Sequence, residues 1–218
     1  MTRVFDRRVL PAPIVAFLRD AQQVAPAHLG GGAALSGAHL AHRLSGDLDL
    51  FVHDRAAHRL LVSALPDLAR DCHASLDVRQ DAGIFVRASM QGPAGSLLVD
   101  VIYEPATDLA PAEPVEGVLC ESLVDLRASK LTCLLSRTEP RDLVDVLFLE
   151  RAGYLPEDDL DLGLRKDAGL DPAVLAWLLS GFRVEPLPTM LVPLDADTLR
   201  RYRDDLAARL RALAQPPP

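Results

Sequence analysis

Two aspartates, Asp47 and Asp49, begin an apolar run that continues to Val52. If this run is a β-strand, both carboxylates project from one face, because successive side chains in a strand alternate. Carboxylates held that close repel each other unless a cation lies between them, and oxygen ligands suit a hard divalent ion. The pair therefore indicates a magnesium site, with manganese as the alternative ion. Solvated aspartates beside a turn are the alternative interpretation.

A glycine turn, Gly30 to Gly32, lies about one helix length before this pair. The leucine spacing of residues 33–44 predicts a short helix after the turn. The N-terminus of such a helix would direct free backbone N–H groups towards whatever the glycines approach, and this geometry favours phosphate. A simple turn between two elements is the alternative interpretation.

A third carboxylate, Asp100, interrupts an otherwise apolar run from Leu97 to Ile102. A charge in the middle of a buried strand is costly unless it is paired or bound to a metal. We therefore expect Asp100 to join Asp47 and Asp49 as a metal ligand, and an edge aspartate facing water is the alternative. The three together would hold one or two magnesium ions, which bridge the phosphates of a nucleotide.

The chain uses lysine rarely, with 21 Arg and only two Lys, Lys130 and Lys166. Lys130 falls at helical spacing within the apolar stripe of a helix predicted over 122–136. Such a lysine can simply extend its charge from the edge of the stripe into water. Its rarity in this chain favours a function instead.

A second helix is predicted from Pro140, and Asp142 and Asp145 lie near its start. Pro140 suits a first helical turn, Asp142 complements the helix dipole, and Asp145 can pair with Arg141 four residues earlier. Structure and function explain these two aspartates equally well.

The remaining pattern predicts an α/β fold of the α+β type, with a mixed, largely antiparallel sheet flanked by helices and followed by a helical domain. Periodicity predicts further helices over 11–25, 54–70, 157–168, 172–180 and 195–214, and strands over 75–80, 83–90 and 95–103. The proline-rich segment 107–116 predicts a linker. We therefore place a catalytic domain at 1–110 and a helical domain at 111–218, with the nucleotide in the cleft between them.

Composition is that of a soluble globular protein, 49% hydrophobic and 25% charged. No run approaches the roughly 20 apolar residues of a membrane span, and the first residues lack the apolar core of a signal peptide. We therefore expect a cytoplasmic protein without membrane contact. A net charge of −8 argues against a large surface that coats nucleic acid, although a local basic patch stays open.

Taken together, these motifs resemble the AbiEii/AbiGii-type nucleotidyltransferases, toxin-like members of the polymerase-β-like superfamily. Family members read G-G-T-A-L and then H-R-x-S-x-D-x-D-x-F. The matching residues here are Gly31, Gly32, Ala33, Ala34 and Leu35, followed by His42, Arg43, Ser45, Asp47, Asp49 and Phe51. A lysine helix followed by R-D-x-x-D-L also resembles the segment from Lys130 to Val146, so the resemblance covers roughly residues 25–150.

The resemblance implies an enzyme that transfers a nucleoside monophosphate from a nucleoside triphosphate to an acceptor, expected to be tRNA or another RNA. It also implies a toxin of a toxin–antitoxin or phage-defence system with an antitoxin partner. The implied catalytic residues are Asp47, Asp49, Asp100, Lys130, Asp142 and Asp145, and the implied nucleotide-binding residues are Gly31, Gly32, Ala33, Arg43, Ser45 and Lys130. Lys130 would contact the triphosphate, and Asp142 or Asp145 would orient Lys130 or the base.

One departure from the family pattern matters, since Ala33 stands where Thr or Ser is usual. A missing hydroxyl would weaken the grip on phosphate without changing the metal site. Two other functions therefore stay open. One is a catalytically degenerate module that binds a nucleotide or a partner, and the other is a nucleotidyltransferase acting on a small molecule.

Overall fold

The computed structural model describes residues 3–93, 95–106 and 108–214. The chain divides between Ser122 and Leu123 into two compact units. We call them the sheet unit, up to Ser122, and the helical unit, from Leu123 onwards. Among the helices of the described segments, none combines the length and the apolar character that a membrane span requires.

The sheet unit is built on a seven-stranded sheet within the described residues. Its strands are β1 (His28–Gly30), β2 (Asp47–Val52), β3 (Ser75–Asp81), β4 (Phe85–Gly92), β5 (Gly95–Tyr103), β6 (Glu113–Val115) and β7 (Val118–Cys120). The spatial order is β3-β4-β5-β2-β1-β7-β6. The pairs β2–β5 and β1–β7 are parallel and the others are antiparallel, which confirms the predicted mixed, largely antiparallel sheet.

Helices cover one face of this sheet and bury its apolar side chains. They are α1 (Ala12–Val24), the short α2 (Gly31–Ala34), which continues as a π-helical segment (Leu35–Leu40), and α3 (Arg55–Asp71). Helix α3 begins where the Asp54 carboxylate accepts a hydrogen bond from the Ala57 N–H at 2.7 Å, a normal N-cap. It packs against β2, β3 and β5, and α1 packs against α3 and β7. The core therefore lies on the side of the sheet that Leu48, Leu50 and Val99 occupy.

The helical unit contains α4 (Leu123–Ser136), α5 (Pro140–Arg151), α6 (Leu160–Lys166), α7 (Pro172–Ser180) and α8 (Ala196–Leu213), with a 3₁₀ turn at Pro156–Asp159. Helix α4 packs against α5, α6 and α7, and α7 packs against α8. Leu126, Leu175 and Leu206 are fully buried between these helices. The apolar periodicity of the sequence places these helices close to where they occur.

The segment between residues 107 and 122 differs from the prediction. The expected linker contains strand β6, and β7 follows it, so both belong to the sheet; residue 107 lies outside the described part of the chain. Pro114 is tolerated because β6 is an edge strand, where a missing N–H breaks no interior ladder bond. The compact units consequently divide after Ser122, and not at residue 110. That the units are separate domains stays a prediction.

Candidate active site

Strand β2 presents its two aspartates on one face, as the alternation predicts. Asp47 and Asp49 are half-buried, whereas Leu48 and Leu50 between and after them are buried on the other side. Asp49 lies opposite Asp100 in the parallel pair of β2 with β5. Opposite residues in neighbouring strands point to the same side, so three carboxylates share this surface. We call it the aspartate face, defined by Asp47, Asp49 and Asp100.

Arg87 on β4 completes the aspartate face, and the sequence reasoning missed it. It lies opposite Asp100 in the antiparallel pair of β4 with β5. Its Nε and Nη2 donate to the two oxygens of Asp100 at 2.8 and 2.6 Å, a bidentate pair in which Asp100 is buried. This hydrogen bonding raises the pKa of Arg87, and the charges of Asp47 and Asp49 add to the effect against the opposing influence of burial.

The glycine turn makes room for two of the candidate side chains. Gly31 has φ +59°, and a Cβ there would lie 1.9 Å from Oδ2 of Asp49. A Cβ on Gly32 would lie 2.5 Å from Nη2 of Arg43. Both positions therefore require glycine, the first for its backbone conformation and both for the close approach of a charged group.

The other candidate residues of this region are fixed by local hydrogen bonds. Arg43 is only 2% exposed, and its Nη1 donates to the Leu44 carbonyl at 2.9 Å. The Ser45 hydroxyl donates to the Asp47 carbonyl at 3.2 Å, which ties the turn to the start of β2. Ala33 is buried at 1% exposure, within the helical segment that runs from Gly31 to Leu40 instead of the predicted 33–44. A left-handed residue, Ala41, ends that segment.

In the helical unit, Lys130 on α4 lies between two aspartates of α5. Its Nζ is 3.1 Å from Oδ1 of Asp142 and 2.7 Å from Oδ2 of Asp145. Both carboxylates are 0% exposed and Lys130 is 4% exposed. Arg137 adds a second cation, since its Nε lies 2.7 Å from Oδ2 of Asp142. We call this group the lysine cluster, defined by Lys130, Arg137, Asp142 and Asp145.

The lysine cluster stabilises the ionised form of Asp142. Burial by itself would raise the pKa of Asp142, but the charge of Lys130 and the hydrogen bond from Arg137 outweigh it. The pKa of Asp142 is therefore lower than usual. A buried carboxylate remains charged in this way only where cations are fixed beside it.

The model of the AbiEii nucleotidyl transferase toxin of type IV toxin–antitoxin systems matches residues 16–217. The chain belongs to this family. A comparison with curated protein sequences finds no match. The resemblance seen in the motifs is confirmed.

Solved structures with the same fold include nucleotidyltransferases from two bacteria. An H. pylori protein assigned as a nucleotidyltransferase shares 21% identity over 93% of each chain, with a TM-score of 0.59. JHP933 from Helicobacter pylori shares 21% identity over 94% of this chain and 91% of its own, with a TM-score of 0.58. MenT4, the nucleotidyltransferase toxin Rv2826c of Mycobacterium tuberculosis H37Rv, shares 14% identity over 91% and 83%, with a TM-score of 0.55. At these identities the likeness shows the fold.

Membership in the AbiEii family assigns the chain to transferases that act on nucleotides and to toxins that have an antitoxin partner. Asp47 and Asp49 are partly exposed and Asp100 is buried beside them, so the aspartate face offers the hard oxygen donors that a divalent ion prefers. Lys166, the second lysine of this AbiEii-family chain, also pairs with a buried aspartate. Nζ of Lys166 lies 3.0 Å from Oδ1 of the fully buried Asp125 within the helical unit.

Proposed function

We propose that this AbiEii-family toxin transfers a nucleoside monophosphate from a nucleoside triphosphate to an RNA such as tRNA, with magnesium or manganese as its ion. The observation that carries the proposal is the aspartate face, where Asp47 and Asp49 share one side of β2 and Asp49 lies opposite Asp100. RNA is proposed as the acceptor because of the toxin role of the family. No surface feature of the described residues is used for this choice. We also expect the protein to work in the cytoplasm beside its antitoxin.

Asp47, Asp49 and Asp100 are the proposed metal ligands. A bound magnesium ion would bridge the phosphates and stabilise the attacking and leaving oxygens. Asp100 remains able to act as a ligand although Arg87 binds both of its oxygens, because each carboxylate oxygen has a further lone pair. Arg87 fixes the direction of that carboxylate, and one of the three carboxylates accepts the proton of the acceptor hydroxyl.

Five residues of the sheet unit are proposed to bind the nucleotide. They are Gly31, Gly32 and Ala33 of α2 together with Arg43 and Ser45, which precede β2 and approach Gly32. The guanidinium of Arg43 lies next to Gly32. It would supply positive charge to a phosphate that approaches the backbone at this glycine. Lys130 as a contact of the triphosphate stays a prediction, with Asp142 and Asp145 holding its ammonium in position.

The proposal is tested by incubating the purified protein with each labelled nucleoside triphosphate, magnesium and total RNA. The unaltered protein should transfer label to RNA. The double variant Asp47→Asn with Asp49→Asn should lose at least about 100-fold in rate, since removal of one electrostatic contact to a transition state already costs about that much. Calorimetric titration should show that the double variant also loses magnesium binding in the presence of nucleotide.

A matched control is Asp77→Asn on β3, which removes an exposed aspartate of the same sheet. It should keep full transfer and full magnesium binding. Equal transfer by the double variant and the unaltered protein would refute the site.

Ala33 gives the degenerate module a specific basis, because the hydroxyl usual in the family is missing there. Magnesium binding without label transfer from any nucleotide would favour that module. Label recovered on a small molecule in place of RNA would favour the small-molecule enzyme.

A further inference from the structure

Two histidines and an aspartate of the sheet unit converge outside the aspartate face. His28 lies on β1, His53 directly follows β2, and Asp108 lies between β5 and β6. Nδ1 of His28 is 3.0 Å from Oδ2 of Asp108, and Nε2 of His53 is 3.2 Å from Oδ1. One donor atom from each of the three residues lies within 4.8 Å of the others. We call this group the histidine cluster.

The two nitrogens that face Asp108 are buried, and neither makes a hydrogen bond to any residue that the structure describes. They lie at hydrogen-bonding distance from the carboxylate but are not aligned with it. Ligand atoms around a metal ion show this arrangement. They lie close together, but their lone pairs point at the ion and not at one another. Buried polar nitrogens without hydrogen bonds also require an explanation.

The proton on His53 can be located from its second nitrogen. Nδ1 lies 2.7 Å from the carbonyl oxygen of Glu104, and a carbonyl only accepts, so Nδ1 carries the hydrogen. In the neutral ring Nε2 then holds a lone pair, which is 3.2 Å from an oxygen of Asp108. Two acceptors at that distance repel each other unless a proton or a metal ion lies between them, and an N–H donor at Nε2 would be expected to align with the carboxylate, which it does not.

We propose that His28, His53 and Asp108 bind a divalent transition-metal ion of the zinc class, at a site separate from the magnesium ligands. Imidazole nitrogen with one carboxylate oxygen is a donor set that zinc accepts, with a fourth position left for water. Ligand atoms in a tetrahedral zinc site lie about 3.3 Å apart, close to the two nitrogen–oxygen distances here. The hydrogen bond from His53 to Glu104 is also the usual second contact of a metal-bound histidine.

The position of the site suggests its role. His28 pairs with Phe51 in the register of β1 and β2, where Gly30 pairs with Asp49. The histidine cluster is therefore displaced from the aspartate face by two strand positions, or roughly 7 Å. An ion there joins β1, the end of β2 and Asp108, and so fixes the chain that leaves the catalytic sheet.

The test uses the full chain after chelator treatment and removal of the chelator. Zinc titrated by calorimetry should bind with one ion per chain, and cobalt should give the intense visible absorption of a tetrahedral site. The variant His28→Gln with His53→Gln should bind zinc at least about 100-fold more weakly, and Asp108→Asn should also weaken it. Circular dichroism in the presence of chelator checks that each variant is folded.

Two controls separate this site from its neighbours. His73→Asn removes an exposed histidine at the end of α3 and should leave zinc binding unchanged. Asp47→Asn with Asp49→Asn should remove magnesium binding and keep zinc binding. If the histidine variants do not fold, the imidazole NMR signals of the unaltered protein still decide, since zinc should shift those of His28 and His53 but not that of His73.

Three results would overturn the proposal. One is the absence of zinc binding at micromolar concentration, which would mean that a proton, and not a metal ion, lies between the histidines and Asp108. The others are unchanged affinity in the folded double histidine variant, and loss of zinc in the Asp47, Asp49 variant instead.

Discussion

The aspartate face and the lysine cluster each bring carboxylates together, but the carboxylates differ in their burial and in their cationic partners. In the lysine cluster Asp142 and Asp145 are 0% exposed, and Lys130 lies within 3.1 Å of both. On the aspartate face Asp47 and Asp49 are half-buried, and Arg87 binds Asp100.

This difference predicts which carboxylates stabilise the fold and which can bind a metal ion. Ions that are fully removed from water need partners built into the fold, because desolvation otherwise costs several kcal/mol each. A partly exposed carboxylate pair can instead be reached by an ion from solution. The lysine cluster is therefore expected to control the stability of the fold, and the aspartate face is expected to control metal binding.

The largest expected effect is that of Lys130→Met. It keeps the length of the side chain but leaves the buried Asp142 and Asp145 without their shared cation. Breaking a buried pair in this way should lower the free energy of unfolding by about 3 to 5 kcal/mol, measured by urea denaturation. Lys166→Met is the matched control, and its effect should be smaller because Lys166 is 23% exposed, so its ion pair with the buried Asp125 is closer to solvent.

Acid should reduce the effect of Lys130→Met. The pKa of Asp142 is lowered by folding, so its contribution is present above the unfolded pKa of about 4 and is lost as pH falls through the folded pKa. The stability difference between the unaltered protein and the variant should therefore narrow below about pH 4. A difference that stays constant with pH would mean that Lys130 contributes through packing alone.

Removal of Arg87 should have the next largest effect. Arg87→Met leaves the buried Asp100 without its two charged hydrogen bonds. The expected loss is about 1.5 to 3 kcal/mol, nearer the lower value because Arg87 is 37% exposed. Magnesium should partly restore the melting temperature if Asp100 is a ligand. No restoration by magnesium would remove Asp100 from the metal site and leave Asp47 and Asp49.

The sequence predicts the long elements well because their hydrophobic periods repeat several times. Helix α3 was expected at 54–70 and spans Arg55–Asp71, and strand β5 was expected and found at 95–103. Strands β1, β6 and β7 have three residues each, which is too short for a period to emerge, and β6 contains a proline. Their pairing depends on residues distant in sequence, so local patterns do not reveal them.

The candidate site shows the same contrast between local patterns, which the sequence reveals, and long-range pairing, which it does not. Asp47 and Asp49 could be placed together because one strand carries both. The contact of Asp100 with Arg87 depends on the register of β4 with β5, which the sequence does not supply. One available signal was the charge of Arg87 in the middle of an apolar strand, the same signal that drew attention to Asp100.

Gly31→Ala should connect backbone strain with metal binding. The change places an L-residue in the left-handed region, at about 1 to 2 kcal/mol, and its Cβ would lie 1.9 Å from Oδ2 of Asp49. Gly83→Ala is the matched control, since Gly83 has φ +76° and open space around a new Cβ. Gly31→Ala should lose more stability than Gly83→Ala because of this additional clash, and only Gly31→Ala should weaken magnesium binding. Equal magnesium affinity in the two would show that Asp49 can move without loss.

The smallest expected effect is that of Ala33→Ser, which restores the hydroxyl usual in the family. One neutral hydrogen bond to phosphate is worth about 0.5 to 1.5 kcal/mol, which corresponds to a roughly 2- to 13-fold gain in turnover. Ala33→Thr adds a methyl group at a position that is 1% exposed, where overpacking typically costs about 1 to 3 kcal/mol. Serine should therefore raise label transfer with little change in melting temperature, and threonine should raise it less while lowering the melting temperature. If both variants leave transfer unchanged, a hydroxyl at this position does not contact the nucleotide.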